Sequence, residues 1–419
     1  MLPELNAWFF ASLAIVAGFF LLELVSTFLN LRHLQPEPPE GFDDVYDPVE
    51  YGRSQSYTRE STRFEIVQST LFLLVFLGFW FAGGFGWMDH AIRSLSLGPV
   101  ASGILALSIL FLASHLLSLP FSVYDTFVLE AKFGFNRTSP QTFISDLLKG
   151  LLLFALLGLP MLAAILWFFE TGGRWAWLQA WITVASLSVL LSWLAPRLIL
   201  PLFLRFSPLE AGPLREAIED MARRCRFPLR ELFVVDGSRR SSKANAFFTG
   251  FGRNKKIALY DTLIENHETD ELVAVLAHEI GHFKRRHILQ QMTLGVLQMG
   301  ILFFLLALVL RNPGLSRAFG VAEPSVYFSL VFFSILCKPV NHLLGMAASI
   351  LSRRHEFEAD AYAAESTGNP ESLTRALKKL SRNNLSNLTP HPLFVFLNYS
   401  HPPLTDRVEA LQSSSPGPA

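Results

Sequence analysis

Seven long apolar runs constrain what this chain can become more than any other feature. They are Trp8–Leu29, Ile66–Trp87, Val100–Leu119, Leu147–Phe169, Trp177–Leu198, Met292–Leu310 and Val326–Leu351. A helix of about 20 apolar residues crosses the hydrocarbon core of a bilayer, whereas apolar stretches of about 10–14 are more typical of buried helices in soluble domains. Charged residues make up 17% of the chain, against about 25% in soluble proteins. Pro160 and Pro339 fall inside two of the runs, which membrane helices tolerate where neighbours satisfy the freed backbone groups. The expected fold class is an all-α integral membrane protein with seven transmembrane helices.

Loop charges orient such spans. Arg32, Arg53, Arg59, Arg63, Lys132, Arg137, the basic stretch 205–286 and the chain from Arg353 onward fall on one side. Arg93, Arg174, Arg311 and Arg317 fall on the other. This predicts an outside N-terminus and a cytoplasmic C-terminus. The first run lacks a basic n-region and is too long for a cleaved signal peptide. Net charge is zero, and no basic run forms a nucleic-acid footprint. Cys225 and Cys337 fall in a cytoplasmic segment and in a span, so no structural disulfide is expected. Neither has the spacing of a zinc thiolate site.

The runs divide the chain into residues 1–204 (five spans and their loops), 205–291 (a polar insert), 292–351 (a two-span hairpin) and 352–419 (a second polar region with a disordered tail from Ser413). Within the insert, Glu216–Arg224 reads as a helix and Glu231–Asp236 as a strand. Ala244–Thr249 and Lys256–Tyr260 read as a hairpin around Gly250–Asn254. A small sheet of this kind can take an extended peptide on its open edge; an ordinary scaffold hairpin accounts for the pattern equally well.

The insert ends in His278-Glu279-Ile280-Gly281-His282. Thr269 and Asp270 are the expected helix start, and Leu272, Val273, Leu276 and Ile280 its buried face. Histidines four apart on a helix lie on one face, so both imidazoles reach one metal ion. Glu279 lies beside that face, where it can take a proton from water, as in zinc peptidases. A buried helix without a metal would carry apolar residues at 278 and 282, because burying unpartnered imidazoles is expensive.

Catalytic zinc takes three protein ligands, so one is missing. Glu356 and Asp360 share a face of the predicted helix after the last run, which suits one ligand and one supporting partner. On composition alone Glu358 and His355 compete for the ligand role. In His401-Pro402-Pro403-Leu404-Thr405-Asp406-Arg407 a stiff turn can aim His401 and Arg407 at one spot, as an oxyanion requires; a plain helix-start turn explains the same residues.

These motifs together resemble the type I CAAX prenyl proteases, integral-membrane zinc metallopeptidases with HExxH and Glu-x-x-x-Asp motifs. Leu119–Phe127 with Lys132–Asn136, Lys243–Phe251, the zinc helix, Glu356–Asp360 and Ser400–Pro403 occur in the family's order. The resemblance implies seven spans enclosing a water-filled chamber, with a cytoplasmic zinc site. One Zn2+ would be held by His278, His282 and Glu356, with Glu279 as general base and Asp360 orienting a ligand histidine. Asn245, Ala246 and Phe247 would hold the substrate beside the edge strand. His401 and Arg407 would face the substrate carbonyl or terminal carboxylate. The expected substrate is a peptide or protein, in the family a C-terminally prenylated one, with the lipid bilayer as the other partner. His115, Lys338 and His342, within spans, fit a polar interior. The C-terminus carries no ER-retention signal, leaving a bacterial inner membrane or the ER membrane as the expected location. The rival readings are a heat-shock-type membrane protease, opposed by seven spans and by the His401 turn, and a zinc transporter or scaffold. A transporter would place its ligands on spans near the midplane.

Overall fold

The computed structural model describes residues 1–249 and 255–413, with the backbone alone for 247–249. The expected turn Gly250–Asn254 and the tail after Ser413 lie outside the described residues, as does the Phe247 side chain. Among the described residues, six helices are long and apolar enough to cross a membrane, or seven if one bent pair counts as a span. The protein is a multi-pass integral membrane protein.

The first five span-length helices precede the insert: α1 (Ala7–Arg32), α2 (Pro48–Phe81), then a short α3 (Gly84–Ser94), α4 (Pro99–Lys132), α5 (Pro140–Thr171) and α6 (Gly173–Phe203). The second departs from the expected Ile66–Trp87. Asp47 caps α2 far upstream, accepting from the backbone of Val49 and Glu50. The helix stops at Phe81 because Gly83 turns left-handed at φ 74°, where a side chain would meet the Met1 carbonyl. Prolines leave a mark without ending helices. Pro160 follows a π-type turn at Phe154–Gly158, and Pro196 lies in another at Ala195–Ile199, where the missing backbone bonds are absorbed.

The insert folds as β1 (Phe206–Pro208), α7 (Pro213–Arg224), β2 (Leu229–Val235), β3 (Ala246–Thr249), β4 (Lys255–Tyr260), α8 (Asp261–Asn266) and α9 (Thr269–Lys284). The sheet runs β1-β2-β4-β3, with β2 and β4 parallel and the other pairs antiparallel. The expected hairpin is present as β3–β4, and β3 is an edge. Strand β1 was not expected, since three residues ending in proline carry no readable period.

Leu232, Ile257 and Leu259 of the sheet pack on Leu272, Leu276 and Ile280 of α9, all nearly fully buried. Each such side chain contributes about 1.5–3 kcal/mol as an upper estimate. The start of α9 differs from expectation. Glu268 is the N-cap, in a reciprocal box with Glu271, and Thr269 and Asp270 are already inside the helix. A carboxylate at both box positions suits the positive end of the helix dipole.

The chain then forms α10 (His287–Val309), α11 (Pro313–Ala318), α12 (Val326–Leu336), α13 (Lys338–Thr367), α14 (Pro370–Asn383), α15 (Pro392–Asn398) and α16 (Leu404–Ser413). The last expected span is the bent pair α12–α13, broken by 56° at Cys337. Pro339 has no N–H for the Ile335 carbonyl, which explains the break there. Helix α13 runs on past the apolar stretch to Thr367, carrying Glu356 and Asp360 out to α9. Cys225 and Cys337 are separate, buried thiols. Lys338 lies 5.2 Å over the Phe19 ring and His342 meets the same ring edge-on at 5.1 Å; His115 stacks on Phe111.

The contact that matters most is α9 against α13. A Cβ on Gly281 would lie 3.1 Å from both Cα and O of Ala359, so any side chain there would push the two backbones apart by a few tenths of an ångström. We predict that Gly281→Val destabilises the protein by about 1–3 kcal/mol through overpacking, with Gly281→Ala milder. Thermal unfolding in detergent measures this, and equal melting of wild type and Gly281→Val would refute it.

Candidate metal centre

The α9–α13 contact brings three donors together. Nε2 of His278 and Nε2 of His282 are 3.1 Å apart. Glu356 Oε2 lies 3.6 Å from the first and Glu356 Oε1 3.3 Å from the second. Tetrahedral ligands at zinc bond lengths stand about 3.3 Å apart, so the spacing fits such an ion. The hydrogen bonding points the same way. His278 Nδ1 faces Asp360 Oδ1 at 2.7 Å; a carboxylate only accepts, so the proton is on Nδ1 and the Nε2 lone pair faces Glu356 and His282. Three electron-rich groups converging in a buried place repel one another unless a cation lies between them.

Asp360 is held in turn by Arg407, whose Nε and Nη2 donate to its two carboxylate oxygens at 2.7 and 2.6 Å. Arg407 Nη1 lies 3.3 Å from Glu356 Oε2. Arg407, Asp360 and Glu356 are all buried. The guanidinium therefore spends its fork on the site's own carboxylates. Burial works against its charge, but the adjoining carboxylates outweigh it and push the Arg407 pKa up. His401 Nδ1 lies 3.1 Å from Glu356 Oε2, on the exposed side. That hydrogen bond raises the His401 pKa against an opposing effect of burial.

The competing ligand candidates have other partners. Glu358 Oε1 accepts from Arg354 and its Oε2 faces His287 Nε2 at 3.2 Å. The His355 ring stacks on His287, and its Nε2 meets Gln290 Oε1 at 2.9 Å.

Glu279 sits beside the donors on a cavity of about 680 Å³, which Asn245, Ala246, His401 and Arg407 also line. Burial raises the Glu279 pKa, opposed by the neighbouring histidines. Asn245 leads into edge strand β3 and caps it locally, its Oδ1 accepting from Ala246 N at 2.8 Å.

The stretch before β3 is stitched to the membrane helices. Arg240 forks onto Asp146 of α5, Ser242 N donates to the Phe135 carbonyl, and Lys243 Nζ reaches Glu130 of α4 and the Tyr57 hydroxyl of α2. On the other side, Asn384 Oδ1 accepts from Ala244 N at 3.2 Å. Sequence reasoning missed His287, Asn384 and this clamp. His287 lies only five positions after His282, but a helix break at Arg286 brings it back, and nothing in the sequence marks that break.

Removing one partner of a buried ion pair strands the other charge. Asp360→Ala and Arg407→Leu are each expected to cost about 3–5 kcal/mol. Chemical denaturation of the purified protein measures the loss, and a cost near zero for both would mean that the pair does not hold the site together.

Residues 27–205 match the family described as CAAX prenyl protease N-terminal, five membrane helices, and residues 208–415 match Peptidase family M48. The Arabidopsis thaliana protein named CAAX prenyl protease 1 homolog is 38% identical, with 94% of this chain and 96% of that protein covered. CAAX prenyl protease 1 of Saccharomyces cerevisiae is 34% identical, with 95% and 94% covered. The crystal structure of S. mikatae Ste24p superimposes with a TM-score of 0.91 at 33% identity, covering 97% of this chain and 100% of that one. With the membrane helices, the donor set and the relatives in agreement along almost its whole length, the chain belongs to the CAAX prenyl protease family of M48 metallopeptidases.

Proposed function

We propose that this protein is a zinc endopeptidase that removes the last three residues of C-terminally prenylated CAAX-type substrates, working at the cytoplasmic face of the ER membrane. The observation that carries the reading is the convergence of His278, His282 and Glu356 beside Glu279, on a cavity bounded by the edge strand β3. His278, His282 and Glu356 would hold one Zn2+. When bound, zinc acts as a Lewis acid and makes water a nucleophile near neutral pH.

The chain's own residues do the rest. Glu279 takes the proton from the attacking water and returns it to the leaving amine, and its raised pKa suits a group that must do both. Asp360 fixes the tautomer of His278. His401, which lines the cavity beside Glu279, donates toward the oxygen where negative charge develops. Arg407 positions Asp360 and Glu356 and places positive charge behind them. Asn245 and Ala246, with the β3 backbone that continues through Phe247, align the peptide as an added strand. A prenyl chain gains about 0.8 kcal/mol for each CH2 withdrawn from water, which favours a site that adjoins membrane helices.

The test is cleavage of a farnesylated CAAX peptide by the purified protein in detergent, with a chelator control. Glu279→Gln is expected to keep one zinc per chain while the cleavage rate falls by about 10²–10⁴. Removing zinc should abolish cleavage and adding it back should restore it. Wild-type rates from Glu279→Gln would sink the mechanism, and metal binding without cleavage of the prenylated peptide would sink the substrate assignment.

A further inference from the structure

Both candidate ligand histidines use their second ring nitrogen, and they use it differently. His278 donates a hydrogen bond from Nδ1–H to a carboxylate, Asp360. His282 Nδ1 instead faces another imidazole, His287 Nδ1, at 3.0 Å. Beyond it, His287 Nε2 faces Glu358 Oε2 at 3.2 Å.

The direction of this chain follows from its two ends. If His282 presents its Nε2 lone pair to a metal, its proton is on Nδ1 and must be donated to His287 Nδ1. That atom must then be an acceptor, so the proton of His287 is on Nε2. Its partner there, Glu358, is a carboxylate and accepts. Each hydrogen bond has one donor and one acceptor, and only one arrangement of protons satisfies all of them.

The surroundings hold this geometry. His287 is 1% exposed, so its ring nitrogens depend on protein partners. His355 stacks flat on it at 3.9 Å and 7°, fixing the ring plane, and is itself tied to Gln290. Arg354 Nε holds the other oxygen of Glu358 at 2.9 Å. Arg286 stands at φ 59° between α9 and α10. A left-handed backbone is unfavourable for a non-glycine residue, and here it turns the first residue of α10 back onto the last turn of α9.

We propose that His287 and Glu358 are positioning residues for the metal site: His287 accepts a hydrogen bond from His282 Nδ1–H and donates one from its own Nε2–H to Glu358, fixing the tautomer and ring plane in which His282 offers Nε2 to the ion. The inference rests on the reading of His278, His282 and Glu356 as the metal ligands. It gives the two ligand histidines separate supports, Asp360 with Arg407 for one and His287 with Glu358 for the other.

The experiment measures zinc affinity by competition with a chromophoric chelator on the purified full-length protein in detergent, with melting temperature recorded for each variant. His287→Phe keeps an aromatic ring for the His355 stack and removes the acceptor. His287→Asn gives up the ring but places an amide oxygen close to where Nδ1 stood. The expected result is about 10–100-fold weaker zinc binding in His287→Phe and near wild-type binding in His287→Asn. Glu358→Ala should also weaken binding, while Glu358→Gln, which keeps an acceptor oxygen, should not; this pair carries the test if His287→Phe fails to fold. Wild-type affinity in both His287→Phe and Glu358→Ala overturns the proposal, and so does an order in which Phe is tolerated and Asn is not, which is what packing alone would give. A wild-type protein that binds no zinc overturns the ligand assignment and this inference with it.

Discussion

Everything in this protein's chemistry depends on how closely two helices approach. At Gly281 the backbone of the zinc-motif helix lies against Ala359 of the long helix that leaves the last span. Histidines on one helix and carboxylates on the other become neighbours because no side chain stands between them there. A wider spacing would leave His278, His282 and Glu356 as separately buried polar groups, each costly on its own. Together they form one site whose repulsion a cation resolves.

Such a site needs support from all sides, and the fold supplies it from segments far apart in the chain. Arg407 comes from the C-terminal helix and neutralises Asp360. His287 begins the sixth long helix and meets His282. Lys379 and Arg375 of α14 approach Glu271 at the other end of the zinc-motif helix. Buried charges of this kind add little net stability as pairs, but losing one partner is expensive. They therefore specify one arrangement of α9, α13 and α16.

The same logic couples the site to the bilayer. Residues 240–243 are fastened to α2, α4 and α5 by Arg240–Asp146, by Lys243 with Glu130 and Tyr57, and by one backbone bond from Ser242 to Phe135 just past α4. The edge strand starts immediately after this clamp. Its distance from Glu279 is thus set by the membrane helices on one side and by its sheet partner β4 on the other. A membrane-anchored substrate of the kind proposed and a strand held by membrane helices would share one frame of reference.

The sequence by itself determined the membrane class, the zinc-motif helix and the small sheet, because those depend on local periodicity: long apolar runs, histidines one turn apart, and alternating strands. It also offered Glu356, Asp360, His401 and Arg407 as candidates through their spacing and through the family resemblance. Only the tertiary structure brings Glu356, and not its neighbours Glu358 and His355, up to His278 and His282, since all three sit on the same turns of helix and differ only in which face meets α9. It alone turned Arg407 onto Asp360, brought His287 back to His282 through the left-handed Arg286, and ended the second span at Gly83. Each of those outcomes depends on a long-range contact or a single backbone angle, and neither leaves a period in the sequence to read.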